Sequence, residues 1–354
     1  VGVRVPEFYI CVKDTGTKYQ LWISDFNIDG TFTRVHPFNI SHTKTMTRTR
    51  EDGKEEVFSA CIKHDDTRYL GGNKSSSVVA TKLQGRPRTE INYDKANEFC
   101  ANRGDWITMI DYLEYCAIQA LCYIEYANFD NQAALNTNLT SDGFKQGGLG
   151  AGVTNLAWDR WTVFNGNNPI VQTYWTAEHN IGNGSTNGDH YELGNYNTDG
   201  SNLNTYPAVY RGILNFFGDI WTFIRDVVIV NRNANYNSVY LLKKGVNHAD
   251  ITIDNIQDKC YFIGDQANSN NFITEFDFRF GPYFIPNKVG TNKKADYNWI
   301  RDNNGQDTNK AVRVLLLGGD ANDGSAAGSG CFHSGWVRSV SGAGVGFFTT
   351  VKLD

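Results

Sequence analysis

The stretch AVRVLLLGGDANDGSAAGSGCFHSGWVRSVSGAGVGFFTTVKLD, residues 311–354, decides how the chain is interpreted. It opens with the apolar strand pattern Val312–Leu317 and closes with a second one, Val345–Val351. The residues between them are rich in Gly, Ala and Ser and show almost no apolar periodicity. A segment that cannot bury apolar surface usually stays disordered, but this one is held between two strands that we predict to be fully buried. We therefore expect an ordered surface loop on a rigid platform, where binding residues tend to lie.

The order of short motifs in this stretch resembles a known family. The first strand is followed by Gly318-Gly319, a polar run of small residues, Ala327-Gly328-Ser329, then Val345-Gly346 and the final strand. The variable region of the target proteins of diversity-generating retroelements has this order, and some of those proteins are phage tail-tip receptor-binding proteins that set host tropism. The resemblance implies a C-type-lectin fold of the kind shared with formylglycine-generating enzyme.

In that family, adenine-directed mutagenesis of Asn-type codons diversifies scattered positions on one exposed face. The resemblance places the variable region at about 318–346. The ligand-binding variable positions implied by the resemblance are Asp320, Asn322, Asp323, Ala326, Cys331, His333, Gly335, Trp336, Val340, Gly342 and Gly344. The positions that the resemblance implies to be scaffold are Gly318, Gly319, Gly328, Ser329 and Gly346. A Trp codon is not reached by changing the first two bases of an Asn codon, so Trp336 needs another template codon or another origin. The alternative is a Gly/Ser-rich loop with no special role.

The composition of the chain limits the classes of function that we expect for it. The chain has 33 basic and 38 acidic residues and a net charge of -5, so we expect no nucleic-acid partner. Its 18 Tyr, 21 Phe and 8 Trp beside 35 Gly favour short strands and long ordered loops. No apolar run reaches the length of a membrane span, so we expect no membrane insertion. The seven cysteines lack CxxC spacing, which argues against a disulfide framework or a zinc site.

Residues 1–49 predict a small β segment ahead of the main domain, residues 50–354. Glu7–Val12 and Tyr19–Ile23 flank a turn-like stretch and predict a hairpin. These strands either form a separate lead-in or extend the sheet of the main domain, and the sequence favours neither.

Two helices are expected next. Residues 93–102 have apolar residues on one helical face. A longer amphipathic helix follows, with Thr108 as a plausible N-cap and Asp111 three residues later. Its apolar stripe is formed by Leu113, Cys116, Ala117, Ala120, Leu121 and Ile124. Two helices followed by loops and short strands is the order implied by the resemblance, although any α+β domain with two helices would also show it.

The middle of the chain adds a second motif. Gly218-Asp219-Ile220-Trp221-Thr222-Phe223 resembles the Gly-Asn-Val-Trp-Glu-Trp motif of the formylglycine-generating-enzyme-like fold, where it is structural, and Trp221 is therefore assigned to the core. Residues 130–210 are loop-rich. Four residues there could bind Ca²⁺ through side-chain atoms, but a solvated acidic loop explains them better. They are Asp189, His190, Glu192 and Asp199.

Enzyme motifs are not evident. The resemblance implies paired copper-binding cysteines for a formylglycine-generating oxidase, and the C-terminal region holds only Cys331. A Cys331–His333 pair is conceivable, but a binding surface explains both residues more simply. No GxSxG, HExxH or phosphate-loop motif occurs, and the calcium-dependent lectin motifs Glu-Pro-Asn and Gln-Pro-Asp are missing too. We therefore expect no enzyme, no cofactor and no bound metal.

Together these features predict an α+β protein with a C-type-lectin-like domain. Its expected function is to bind a protein or glycan receptor on a cell surface, with Trp336 as the main contact if it is exposed. The expected location is a virion tail or a bacterial cell surface, and the resemblance implies homo-oligomers such as trimers. The alternatives are a structural tail or pilus component, and a divergent oxidase or hydrolase.

Overall fold

The computed structural model describes residues 2–58, 68–70, 87–131, 191–193, 203–205, 210–292, 294–300, 311–320, 323, 326–342 and 344–353. In chain order the strands of these residues are β1 (Gly2–Val5), β2 (Phe8–Asp14), β3 (Tyr19–Ser24), β4 (Thr33–Val35), β5 (Phe38–Ser41), β6 (Met46–Thr49), β7 (Glu55–Phe58), β8 (Tyr69–Leu70), β9 (Thr108–Met109), β10 (Tyr191–Leu193), β11 (Leu203–Thr205), β12 (Trp221–Asn231), β13 (Tyr236–Leu242), β14 (Cys260–Ala267), β15 (Asn271–Asp277), β16 (Ile285–Gly290), β17 (Tyr297–Trp299), β18 (Val312–Leu317), β19 (Phe332–His333), β20 (Val345–Gly346) and β21 (Thr349–Lys352). The helices are α1 (Tyr93–Arg103), α2 (Tyr112–Tyr126), a 3-10 helix (His248–Asp250) and the short α3 (Ile256–Lys259). The predicted α+β class is confirmed, with sheet predominating.

The largest sheet has its strands in the order β14-β13-β12-β18-β19-β17-β15-β16, and β20 adds to β12 in parallel. The sheet curves until its two edges approach each other. The Asn287 side-chain N–H on β16 donates to the Asp265 carbonyl on β14 at 3.3 Å. The result is a nearly closed, barrel-like sheet whose central strand is β18.

A smaller sheet joins the two ends of the chain in the order β1-β5-β21-β9. Thr350 pairs with Ile40, and Thr349 pairs with Met109. β1 and β5 of the N-terminal segment therefore extend a sheet that contains the last strand of the chain, whereas β2, β3 and β4 pair with one another in a separate three-stranded sheet. The predicted hairpin is confirmed as β2 and β3.

The long helix α2 is confirmed, but it begins later than predicted. Asp111 is its N-cap, and Glu114 completes a capping box, while Thr108 lies in β9. The acidic pair Asp111–Glu114 forms a reciprocal box that Thr108 cannot form, because no Glu or Gln stands three residues after it. The predicted apolar stripe is also partly wrong. Ile124 is 42 % exposed, whereas Tyr115 and Ile118 outside the stripe are buried, because α2 packs on several sides.

The predicted final strand, residues 345–351, is in fact two strands in different sheets. Val345 and Gly346 pair with β12, whereas residues 349–352 pair with β5 and β9. Phe347 and Phe348 between them are fully buried and lie in two different core clusters. The chain therefore crosses from one sheet to the other at this pair of aromatic residues. Trp221 begins β12 and is 6 % exposed, so its assignment to the core is confirmed.

A network of buried amide side chains fixes β17 beside β14. The Gln266 amide donates to Asn298 Oδ1 at 2.7 Å, and the Asn298 amide donates to the carbonyls of Ala267 and Ser269, both at 2.9 Å. Gln266 and Asn298 are fully buried, and satisfied buried amides rigidify their surroundings. The neighbours of Asn298 on the same strand, Tyr297 and Trp299, are thereby held in place beside β19.

Candidate functional site

The predicted platform begins with a tight turn after β18. Gly318 and Gly319 have φ of 98° and 72°, a conformation that favours glycine. The Gly318 N–H donates to the Cys331 carbonyl at 3.0 Å, and the Gly328 N–H donates to the Gly318 carbonyl at 3.3 Å. A Cβ atom on Gly319 would lie 2.9 Å from Ala327. The chain after β18 therefore folds back on itself, and this return requires the two glycines.

The inner half of the segment, defined as residues 318–332, packs into the protein. The Tyr115 hydroxyl on α2 donates to the Ser329 carbonyl at 3.1 Å, and the Gly330 N–H donates to the buried Asp296 carboxylate at 2.8 Å. Cys331 and Phe332 are fully buried. Among the described residues of this half, only Asp323 is more than marginally exposed.

Two carboxylates of the inner half share a tight turn. The Asp320 N–H donates to Asp323 Oδ2 at 2.7 Å, and the Asp323 N–H donates to the Asp320 carbonyl at 3.1 Å. Burial raises the pKa of the Asp323 carboxyl, and the charge on Asp320 raises it further. Burial, followed by the charges of Asp323 and Asp296, raises the pKa of the Cys331 thiol. The thiol is therefore protonated, a state that does not suit a nucleophile.

The outer half, defined as residues 333–342, is held by its backbone instead. The Val314 N–H of β18 donates to the Trp336 carbonyl at 2.9 Å, and the Tyr93 N–H at the start of α1 donates to the Arg338 carbonyl at 3.2 Å. The Glu90 N–H donates to the Gly342 carbonyl at 3.1 Å. These anchors leave side chains of the outer half at the surface. Half-buried or exposed are His333, Trp336, Val337, Arg338, Ser339, Val340 and Ser341.

Aromatic rings form the floor of the outer half. The His333 ring lies 5.1 Å from the Trp221 ring and 6.4 Å from the Trp336 ring, centroid to centroid. The Gly335 N–H donates to His333 Nδ1 at 2.9 Å, so the proton of the neutral imidazole is on Nε2. Burial lowers the pKa of His333 to about 4, which keeps the ring uncharged at neutral pH. This part of the surface therefore offers aromatic faces and neutral hydrogen-bond groups.

Two further aromatic residues, Tyr297 and Trp299, belong to this site but were missed in the sequence. Their rings are 4.4 Å apart and half-buried, and Trp299 pairs with His333 across β17 and β19. The signal was present: in Asp296-Tyr297-Asn298-Trp299 aromatic and polar residues alternate, which is the period of a strand with one polar and one aromatic face.

The eleven predicted positions do not share one environment. Four of them lie in the outer half and are partly exposed: His333, Trp336, Val340 and Gly342. It buries Asp320, Ala326, Cys331, Gly335 and Gly344. Asp323 is partly exposed, and Asn322 lies outside the described residues. In this conformation a surface partner reaches the first group but not the second.

The other binding features are less informative. The calcium candidates Asp189, His190 and Asp199 lie outside the described residues, as does the side chain of Glu192. Within the described residues, no group of three or more His, Cys, Asp or Glu side chains is arranged to hold a metal ion. The helices in the described ranges are all too short or too polar to cross a membrane.

A cleft of about 510 Å³ lies beside β6 and β7. Its lining residues are Arg48, Thr49, Arg50, Glu51, Asp52, Glu56 and Arg68. Three arginines and three carboxylates give this lining no net charge, and Arg48 pairs with Glu56 while Arg50 approaches Asp52. The lining as a whole therefore carries no excess charge of either sign.

No protein-family model matches the chain, and a search of curated proteins gives no match. The function is therefore argued from the geometry of the site.

Proposed function

We propose that the protein binds a protein or glycan receptor on a cell surface through the outer half, residues 333–342. The observation that carries the proposal is the way this segment is built. Three backbone hydrogen bonds, from Val314, Tyr93 and Glu90, fix its path, while most of its side chains are at least partly exposed to solvent. A surface held in this way loses little conformational freedom when a partner binds, so more of the contact energy becomes affinity.

The side chains of the outer half suit an interface. Trp336 is half-exposed and rests on Gly342, where a Cβ atom would lie 2.9 Å from the ring. Tyr297 and Trp299 extend the aromatic surface on the neighbouring strand. Trp and Tyr are enriched among the residues that dominate binding energy. Trp336 is accordingly the principal contact.

The resemblance to retroelement-diversified proteins adds the biological setting to the proposal. It supports a C-type-lectin-like fold, with about 318–346 as the variable region and a role in host tropism or adhesion. The place of action is a virion tail or a bacterial cell surface, and trimers or other homo-oligomers supply several copies. Several copies on one particle raise the avidity of a weak individual contact.

Trp336→Ala is the variant that tests this proposal. The labelled full-length chain is applied to a panel of bacterial strains and to a glycan array. We expect Trp336→Ala to weaken binding by about 30-fold, because truncation of a central Trp typically costs about 2 kcal/mol. The matched control is Trp106→Ala, since Trp106 is 56 % exposed and follows the opposite end of α1. This control is expected to bind as the wild type does.

Two results contradict the proposal. One is a receptor whose binding survives Trp336→Ala but is lost with Trp106→Ala or another distant variant. The other is a wild-type chain that binds no strain and no glycan while it assembles with a second copy through the outer half.

A structural role in a tail or pilus is the second candidate, and exposed apolar residues near the N-terminus favour it. Trp22, Phe26 and Ile28 are 47 %, 65 % and 55 % exposed on β3 and the loop that follows it. A cluster of large exposed apolar residues often marks a protein interface. If these residues make assembly contacts, the double substitution Trp22→Ser and Phe26→Ser disrupts the assembly. Light scattering then gives a lower molar mass for the variant than for the wild-type protein. An unchanged mass argues against that role for this surface.

A further inference from the structure

Lys44, which lies just before β6, is the most unusual side chain of the interior. It is fully buried, although lysine almost always keeps its amine in water. Its Nζ donates to Asp219 Oδ1 at 2.6 Å and to the Asn215 carbonyl at 2.6 Å. The ring of Phe348 lies 4.9 Å from Nζ. The amine is therefore held against one carboxylate and beside an aromatic ring.

The surroundings favour the uncharged forms of both groups. Asp219 is as fully enclosed as Lys44, with 1 % of its side chain exposed. Burial lowers the pKa of the Lys44 amine and raises the pKa of the Asp219 carboxyl, and the attraction between the two charges opposes both changes. A proton transfer from the amine to the carboxylate gives a free amine beside a carboxylic acid and removes two charges from the interior.

We propose that Lys44 and Asp219 condense to form an intramolecular isopeptide bond. The lone pair of Nζ attacks Cγ of the protonated Asp219 carboxyl, and a C–N bond forms. One proton of Nζ passes to the hydroxyl oxygen of the tetrahedral intermediate. The C–O bond then breaks, and one water molecule leaves. The products are one amide and one water, so no oxidant, reductant or co-reactant is needed.

The local geometry supports each step. The short Nζ–Oδ1 contact places the amine next to Cγ, and such fixed proximity replaces a bimolecular encounter. The Asn215 carbonyl accepts a hydrogen bond from Nζ and orients its lone pair. The backbone N–H of Ile220 interacts with the Asp219 carboxyl, where it can stabilise the negative oxygen of the intermediate. The burial of both side chains limits the access of water that would reverse the reaction.

The bond would tie two distant parts of the chain. Lys44 and Asp219 are separated by 175 positions, so the bond links the N-terminal strands to the loop before β12. A covalent link across a long loop restricts the unfolded chain, as a disulfide does. Unlike a disulfide, it would not depend on an oxidising environment. This inference is independent of the proposed receptor-binding function.

The test is the mass of the denatured, full-length wild-type chain, combined with tryptic mapping. We expect a mass lower than the calculated one by one water molecule. We also expect one branched peptide that contains both residues and is uncut after Lys44, because trypsin does not cleave at an acylated lysine. Lys44→Met and Asp219→Ala are expected to show their full calculated masses. Asp219→Asn is expected to form the same link with loss of one ammonia molecule.

The wild-type measurement alone decides the proposal, so it stands even if a variant fails to fold. A wild-type chain with its full calculated mass, cleaved normally after Lys44, overturns the proposal and leaves a buried ion pair. A mass lower by one water with a normal cleavage after Lys44 also overturns it, since the dehydration then lies elsewhere, for example at a cyclised aspartate.

Discussion

The inner half, residues 318–332, and the outer half, residues 333–342, adjoin in the sequence but lie in different environments. Both are rich in Gly and Ser. The inner half is buried against α2 and β17 through Ser329, Gly330 and Cys331. The outer half is anchored mainly through backbone groups, and Ser339 and Ser341 on it are exposed. Backbone anchors do not depend on the identity of a side chain, whereas burial does.

This difference limits where a diversified surface can lie. A position can change freely only if its substitution leaves the fold intact, and most surface substitutions alter stability little. Most positions of the outer half meet that condition, Ser334 and Gly335 being buried exceptions, whereas those of the inner half do not. The display surface that we propose is therefore narrower than the interval predicted from the resemblance. The predictions below test how tightly each half is packed and how well it tolerates substitution.

The largest effect is expected at Gly328 of the inner half. A Cβ atom there would lie 2.1 Å from Cγ of Asp296, which is fully buried and cannot move away at low cost. We expect Gly328→Val to lower the free energy of unfolding by about 3 kcal/mol or more, or to prevent folding. Urea unfolding measures the change. A variant that unfolds at the wild-type midpoint would show that the inner half is loosely packed.

A smaller loss is expected for Cys331→Ser. Cys331 is fully buried within an apolar cluster, where a hydroxyl costs more to desolvate than a thiol and has only the backbone contact that the thiol makes with Tyr297. We expect a loss of about 2 kcal/mol in the free energy of unfolding. The matched control is Cys11→Ser, because the Cys11 sulfur lies 3.8 Å from the Thr31 hydroxyl, which can pair with the new group. Equal losses at both positions would contradict the reasoning.

Much of the fold was predictable from local patterns. The hairpin of β2 and β3, both long helices and the buried strand β18 follow from apolar periodicity and turn residues, and all are observed. The start of α2 and the split of the final strand were not predicted. The split depends on which sheet each residue joins, and that pairing is set by strands more than 100 positions away, as for Val345 with Trp221 and Thr350 with Ile40.

The site was less predictable than the fold. The sequence predicted a site in this segment with Trp336 as its main contact, but composition could not separate the buried inner half from the mostly exposed outer half. That distinction arises from long-range contacts such as Tyr115 with Ser329. The Lys44–Asp219 contact was missed for the same reason, since a lysine in a polar stretch is normally solvated. Tyr297 and Trp299 could have been found from their alternation.

The pH dependence of stability probes the boundary between the halves at His333. The folded pKa of about 4 lies below the unfolded value of about 6.5, so between these pH values the unfolded chain binds the proton more tightly. The contribution of His333 is therefore complete above pH 6.5 and is lost as the pH falls toward 4. We expect the free energy of unfolding to decline as the pH falls through this window, by less than about 1.4 kcal/mol per pH unit. His333→Gln should remove that part of the decline, which urea unfolding at several pH values measures. If the free energy of unfolding depends on pH in the same way for both chains, His333 lies in solvent.

The smallest effect is expected at Ser341 of the outer half, and its comparison with Ser329 tests the distinction directly. Ser341 is exposed, so Ser341→Tyr is expected to change the free energy of unfolding by no more than about 0.5 kcal/mol. Ser329 is fully buried, so the same side chain at that position has no space and is expected to cost several times as much. The two variants add the same side chain to the same residue type within one Gly/Ser-rich segment, which leaves burial as the main difference between them. If both variants unfold at the same urea concentration, the halves do not differ in tolerance, and the restriction of the display surface to residues 333–342 fails.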